Sequence, residues 1–146
     1  MITNITFEEI YSIWSIHLWP TRESAIEPSS AMNFLGGYDM KNMISMPTFF
    51  AYKIDDRIVG VNSGHMCDNN VYRSRGLFVF PEFRGQGIGK ALLIATITQG
   101  INEGAFYIWS YPKKSSWSTY TAAGFVLASA WETSEIDINA YCKYTV

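Results

Sequence analysis

The hydrophobic positions of the first third recur at helical spacing. Phe7, Ile10, Tyr11, Ile13, Trp14 and Leu18 share one face. They predict an amphipathic helix from Phe7 to Trp19, with Thr6 or Asn4 as its N-cap and Pro20 as its stop. Arg22 to Pro28 is polar and reads as loop. Ser29-Ser30 stand where they would cap a second, short helix over Ala31 to Leu35, ended by Gly36-Gly37. From Thr48 the period changes. Phe49 to Tyr52, Ile58 to Val61 and Val71 to Phe80 read as strands, with turns at Asp55-Asp56 and at Cys67 to Asn70. Together they predict an antiparallel three-stranded meander that Pro81 stops.

Downstream, Lys90 to Ile97 has helical apolar spacing, and Gly104 separates it from a strand over Ala105 to Trp109. Ser115 and Ser116 open a helix through Ala123, which Gly124 caps. Phe125 to Leu127 begins a strand. Ile136, Ile138, Ala140, Cys142 and Tyr144 alternate like a last one, from Glu135 to Tyr144. The order of elements predicts an α/β protein with a mixed sheet and helices on its faces.

Between the third strand and the helix at Lys90 lies Arg84-Gly85-Gln86-Gly87-Ile88-Gly89. Glycines let a backbone approach a ligand closely and take positive φ. The helix start that follows has free N–H groups and the positive end of the helix dipole. A strand, a glycine turn and a helix in succession therefore make a phosphate socket, to which Arg84 adds a charged fork. A Walker A loop would need Gly-Lys-Ser/Thr, but Ala91 follows Lys90 here. A dinucleotide fingerprint would need Gly-x-Gly-x-x-Gly in a parallel unit, but the spacing is Gly85-x-Gly87-x-Gly89 after antiparallel strands. The bland alternative is a tight turn with no ligand.

Composition narrows the choice. The chain has 146 residues, one domain's worth, with 48% hydrophobic and 16% aromatic residues, enough for a packed core. A net charge of −2 excludes the basic excess of a nucleic-acid binder. Arg73, Arg75, Arg84, Lys90, Lys113 and Lys114 suffice for a small polyanion. Cys67 and Cys142 fit neither a disulfide framework nor a zinc pattern, so no metal is expected. With no apolar run of membrane length and no leader-like N-terminus, the expectation is a soluble, cytoplasmic protein in a reducing compartment.

The glycine loop matches the Arg/Gln-x-x-Gly-x-Gly/Ala motif of the GNAT superfamily of N-acetyltransferases, which the chain resembles over residues 48 to 127. Val79-Phe80-Pro81, Ala91-Leu92-Leu93, Asp55 to Gly60 and Tyr120-Thr121-Ala122-Ala123-Gly124-Phe125 are similar to the family in the same order. The resemblance implies a mostly antiparallel central sheet with a splayed parallel pair. It implies that amides from Arg84 through Gln86 to Lys90 hold the pyrophosphate of acetyl-coenzyme A, the co-substrate. It also implies that the pantetheine arm pairs with the open edge of Leu77-Phe78-Val79, where Leu77 or Val79 polarises the thioester. Tyr120 matches the tyrosine that protonates the leaving thiolate, which makes it the implied catalytic residue.

Two positions depart from the family. Its strand carboxylate has no counterpart near Tyr72-Arg73, and His65, Asp68, Glu82 or a water are the substitutes. Lys113 replaces its Asn, leaving Ser116 to bond the arm and Lys113-Lys114 to meet the ribose 3′-phosphate. Trp14, Trp19, Tyr38, Trp109, Tyr111, Trp117 and Trp131 divide between core and acceptor wall, and Glu23 and Glu27 could draw a cationic amine. The expected function is acetyl transfer to a primary amine, on a small molecule or a peptide, by direct attack in a ternary complex. The alternatives are a non-catalytic coenzyme A-binding module and an interaction domain that kept the fold. The exposed tail strands would also suit a homodimer.

Overall fold

Seven strands form one mixed sheet in the computed structural model, which describes residues 1–146. In chain order they are β1 (Ile2–Asn4), β2 (Thr48–Ile54), β3 (Arg57–Met66), β4 (Tyr72–Val79), β5 (Tyr107–Ser110), β6 (Val126–Leu127) and a C-terminal strand, Cys142–Thr145, which inserts between β5 and β6. The meander β2–β3–β4 forms as its alternation requires. β1, too short to show a period, adds to its edge through Ile2, Thr3 and Asn4. The tail does not run as one strand from Glu135 to Tyr144. Ile138–Asn139 instead pairs with Glu132–Thr133 in a separate two-stranded hairpin, and the main sheet resumes at Cys142.

Helix α1 (Phe7–Ile13) opens on a capping box between Thr6 and Glu9. It continues as a π-helical turn, Trp14–Leu18, closed by the Trp19 N–H on the Trp14 carbonyl at 2.7 Å. Ile10, Ile13 and Trp14 pack on Ala51, Val61 and Phe78, covering one face of the sheet. Helix α2 (Ile88–Asn102) is longer at both ends than its apolar spacing predicts and covers the other face with Ile88, Leu92, Leu93 and Ile97. Gly100 fits inside it because a Cβ there would stand 2.9 Å from the Tyr72 ring. Helix α3 (Trp117–Ala123) lies beside α2 and ends at Gly124 with φ +103°.

The helix expected over Ala31 to Leu35 does not form. Leu35, Gly36 and Gly37 all take positive φ, and the chain folds back so that Met32 bridges Tyr38. Buried Asn42 holds this loop together, its amide donating to the Ala31 carbonyl and to Asn33 Oδ1. Side chains that bond nearby backbone compete with a helix, and two glycines weaken it further.

Candidate functional site

The functional region starts with a misfit in the sheet. Val61 pairs with Phe78 and Ser63 with Arg75, so Asn62 alone faces both Gly76 and Leu77. This is a β-bulge, and Gly76 takes φ +81° to make it. Trp14 locks it, donating its indole Nε1–H to the Gly76 carbonyl at 2.8 Å. On the far side, β4 and β5 run parallel only through Tyr72–Ile108 and Arg73–Trp109. A last tie joins the Ser110 hydroxyl to the Ser74 carbonyl at 2.6 Å. Beyond it the strands part. β4 continues to Val79 with no partner on that edge, while the chain after Ser110 turns away through Pro112.

One side of the gap is a cleft of about 490 Å³. Leu77, Val79, Arg84, Gly85, Gly87, Ile88, Gly89 and Lys90, all anticipated from the sequence, line it, as does Ser116 from the opposite wall. Phe78 also borders it, although its ring is buried in the cluster under α1. Gln86 does not: it is exposed and stands outside the cleft lining. Gly85 and Gly87 take φ of +78° and +81°, a region L side chains avoid, and open space lies where their Cβ atoms would be. Gly87 is the N-cap of α2, and its carbonyl accepts the first helical bond, from the Ala91 N–H. The N–H groups of Ile88, Gly89 and Lys90 thus lie unspent at the helix start. Gly89 has a different task, since a Cβ on it would meet Thr119 Cγ2 at 2.9 Å, so its bareness sets how closely α2 meets α3. Arg84 folds back, Nε donating to the Val79 carbonyl at 2.8 Å, with its guanidinium over Phe78. Ser115, Ser118 and Thr119 add hydroxyls to the wall. Counted from Ser115 these three stand at i, i+3 and i+4, which was the available signal for them.

A second cleft, about 630 Å³, opens on the other side and shares Leu77, Lys113 and Ser116 with the first. Tyr120 lines it, stacked on Trp117 at 11° and edge-on to Phe125. Burial raises its phenol pKa, with Cys142 acting the same way, while Ser110 and Arg73 pull the other way. Tyr120 is therefore a neutral hydroxyl at physiological pH. The cleft floor carries Arg73 and Arg75, and Arg22 stands at its side. Trp19, Tyr38 and Tyr111 contribute aromatic wall, whereas Trp14 and Trp109 are wholly buried in the core and Trp117 and Trp131 pack on each other. Glu23 and Glu27 are exposed outside the cleft.

The candidate bases fall elsewhere. His65 is fully buried, its Nε2 accepting the Ser30 N–H at 3.3 Å and its Nδ1 facing the Met66 carbonyl. Burial first, then Arg73 and Arg75, depress its pKa to about 3, so it stays neutral and anchors the 30–33 loop. Glu82 pairs at the surface with Arg57 at 3.2 Å. Asp68 sits in the 67–70 turn, outside both clefts. The carboxylates that do line the second cleft are Glu132, Glu135 and Asp137, from the small hairpin. Sequence reasoning missed them because a two-residue strand leaves no period. Lys114 is exposed beside Trp131, whereas Lys113 stands where the clefts meet.

No helix is long and apolar enough to cross a membrane. No curated protein matches the chain. Among solved structures it is similar to a GNAT-family acetyltransferase of Staphylococcus aureus Mu50, with 17% identity, TM-score 0.67, and 99% of this chain and 98% of that one covered. A Bacillus subtilis acetyltransferase in complex with coenzyme A aligns over 99% of this chain and 97% of its own, at 14% identity and TM-score 0.68. Escherichia coli ElaA aligns over 99% and 98%, at 9% identity and TM-score 0.71. Identities this low establish the fold alone. The family is established by a sequence model, that of the acetyltransferase (GNAT) family, which matches residues 9–125. With the bulged, splayed strand and the glycine-capped helix in place around it, this chain belongs to the GNAT acetyltransferase family.

Proposed function

We propose that the protein transfers an acetyl group from acetyl-coenzyme A to a primary amine by direct attack. The observation that carries the reading is the gap between β4 and β5, which opens at once onto the glycine-capped start of α2 and onto the cleft holding Tyr120. In this reading the pyrophosphate rests on the amides of residues 84–90, and the pantetheine arm takes the free edge of Leu77 to Val79. The Phe80 N–H bonds the Val59 carbonyl, which leaves the polar groups of Val79 directed away from β3, toward the gap. Arg84 Nε bonds that carbonyl and would yield it to the arm.

The amine nitrogen attacks the thioester carbon, the carbonyl oxygen takes up charge against a β4 amide, and the C–S bond then breaks with its electron pair on sulfur. Burial keeps Tyr120 protonated, so its hydroxyl donates a hydrogen bond to the departing sulfur. A phenol so weakly acidic stabilises the thiolate more by that bond than by complete proton transfer. The acceptor amine loses its proton to water in the open cleft.

Release of the coenzyme A thiol in the presence of a panel of amines tests the reading. The expected result is turnover that falls about 10²-fold in Tyr120→Phe with unchanged coenzyme A affinity. A second reading, a coenzyme A-binding module without turnover, is favoured by one observation. None of His65, Asp68 and Glu82 reaches the cleft. Coenzyme A binding with no thiol release from any amine would select it.

A further inference from the structure

Arg73 is 8% exposed, and its buried Nε–H has no hydrogen-bond partner in the protein. It stands on β4, opens onto the second cleft, and stacks 4.9 Å from the centre of the Trp109 ring. Arg75, 3% exposed, lies two residues on, so it shares the same strand face. It spends one N–H on the Glu27 carbonyl at 2.8 Å, and its guanidinium is held over Trp14 and Trp19. Arg22 bonds Ser24 and the Ala25 carbonyl above Trp19. No carboxylate reaches any of the three within ion-pair distance, since the protein's one salt bridge is Arg57–Glu82 at the surface.

An enclosed guanidinium with no carboxylate is costly to keep, because its hydration is lost and nothing replaces it. Its planar fork, once held by a ring, matches a carboxylate in two parallel bonds. The coenzyme does not claim these residues, as the cationic groups on its side of the gap are Arg84, Lys90 and Lys113, and neither Arg73 nor Arg75 lines that cleft. The acids of the second cleft stand at its rim and are already engaged. Glu132 accepts from the Tyr111 hydroxyl, Glu135 from Ser24, and Asp137 from the Ile138 N–H. The cleft is thus cationic at the floor and anionic at the mouth.

We propose that the acceptor is a small primary amine that also carries a carboxylate, bound in two parallel hydrogen bonds by the Arg73 guanidinium with Arg75 beside it. The inference rests on the acetyltransferase reading and names its substrate class. The cleft's volume, about 630 Å³, suits a small molecule of this kind. Arg73 occupies the stretch of β4 where the family resemblance would place a carboxylate, so this strand binds an anion instead of drawing a proton from the amine. The rim acids then favour the zwitterion over an ordinary anion.

The experiment uses matched pairs that differ in the anionic group alone. These are L-lysine against 1,5-diaminopentane, L-phenylalanine against 2-phenylethylamine, and O-phosphoethanolamine against ethanolamine. Each is assayed by thiol release and by calorimetric titration into protein saturated with coenzyme A. The expected result is that a carboxylate-bearing member exceeds its partner by about tenfold to a hundredfold in kcat/KM, or in affinity where no turnover occurs. Arg73→Gln should erase that preference by raising KM while coenzyme A affinity stays as it was. Arg73→Lys, which keeps the charge but not the fork, should retain part of it. Equal or better use of the amines lacking a carboxylate by the wild-type protein would overturn the proposal, with no variant needed. So would a preference for the phosphate-bearing amine, or failure of every carboxylate to bind the coenzyme-loaded protein. Failure of coenzyme A itself to bind would instead remove the acetyltransferase reading, and this inference with it.

Discussion

Trp14 and Gly76 are fitted to each other twice over. The indole Nε1–H bonds the Gly76 carbonyl at 2.8 Å, and the indole ring occupies the space where a Gly76 side chain would stand. Residue 76 must also hold φ +81° to make the bulge in β4. Helix α1 and its π turn are thereby coupled to the strand that borders both clefts.

Gly76→Ala adds a methyl group inside that ring and strains the backbone. It should cost about 2–4 kcal/mol in urea denaturation, from overpacking and from the left-handed φ together. Trp14→Phe keeps an aromatic ring but strands the Gly76 carbonyl, and should cost about 1–3 kcal/mol. Two variants within 0.5 kcal/mol of wild type would show that the bulge does not depend on this pair.

The contact of Gly89 with α3 gives a paired test. Gly89→Ala should lower stability by about 1–2 kcal/mol because its Cβ meets Thr119 Cγ2, even though alanine suits helices better than glycine. Thr119→Ser removes that methyl and should restore most of the loss in the double variant. Additive losses in a double-mutant cycle would contradict the contact.

The glycine loop was legible from residues 84–90 because turn chemistry is local, and Gly85 and Gly87 require only their own backbone angles. The meander was legible for the same reason, as alternation reports burial on one face. Other features depend on distant partners. Nothing near Gly76 in sequence announces Trp14, 62 residues away. The loop at 31–42 is decided by Asn42 and by His65, which bonds the Ser30 N–H, and both outweighed the local helix signal. The Glu132–Asn139 hairpin supplies acids to the second cleft through strands of two residues each, too short for any period. Of the basic residues grouped as enough for a small polyanion, Arg73 and Arg75 are buried, which their spacing in the sequence does not show.

His65 makes stability depend on acid. Its folded pKa, about 3, lies below the unfolded value near 6.5, so the unfolded chain binds the extra proton between them. Its contribution is complete above about pH 6.5 and is lost as pH falls toward 3. At about 1.4 kcal/mol per pH unit, lowering the pH from 6.5 to 4 should cost up to about 3 kcal/mol. His65→Gln should be less stable at neutral pH yet show a flatter profile in that window. An unchanged slope in the variant would place the acid sensitivity elsewhere.

Acetyl transfer by this protein requires above all that the glycine-capped start of α2 be a coenzyme site. Titration of acetyl-coenzyme A into the folded protein by calorimetry tests this directly, with Gly87→Trp and Arg84→Glu beside it. The expected result is saturable one-to-one binding that Gly87→Trp abolishes and Arg84→Glu weakens by about tenfold, the loss of one charge-assisted contact. Absence of binding to the folded wild-type protein, or equal affinity in all three, would contradict it.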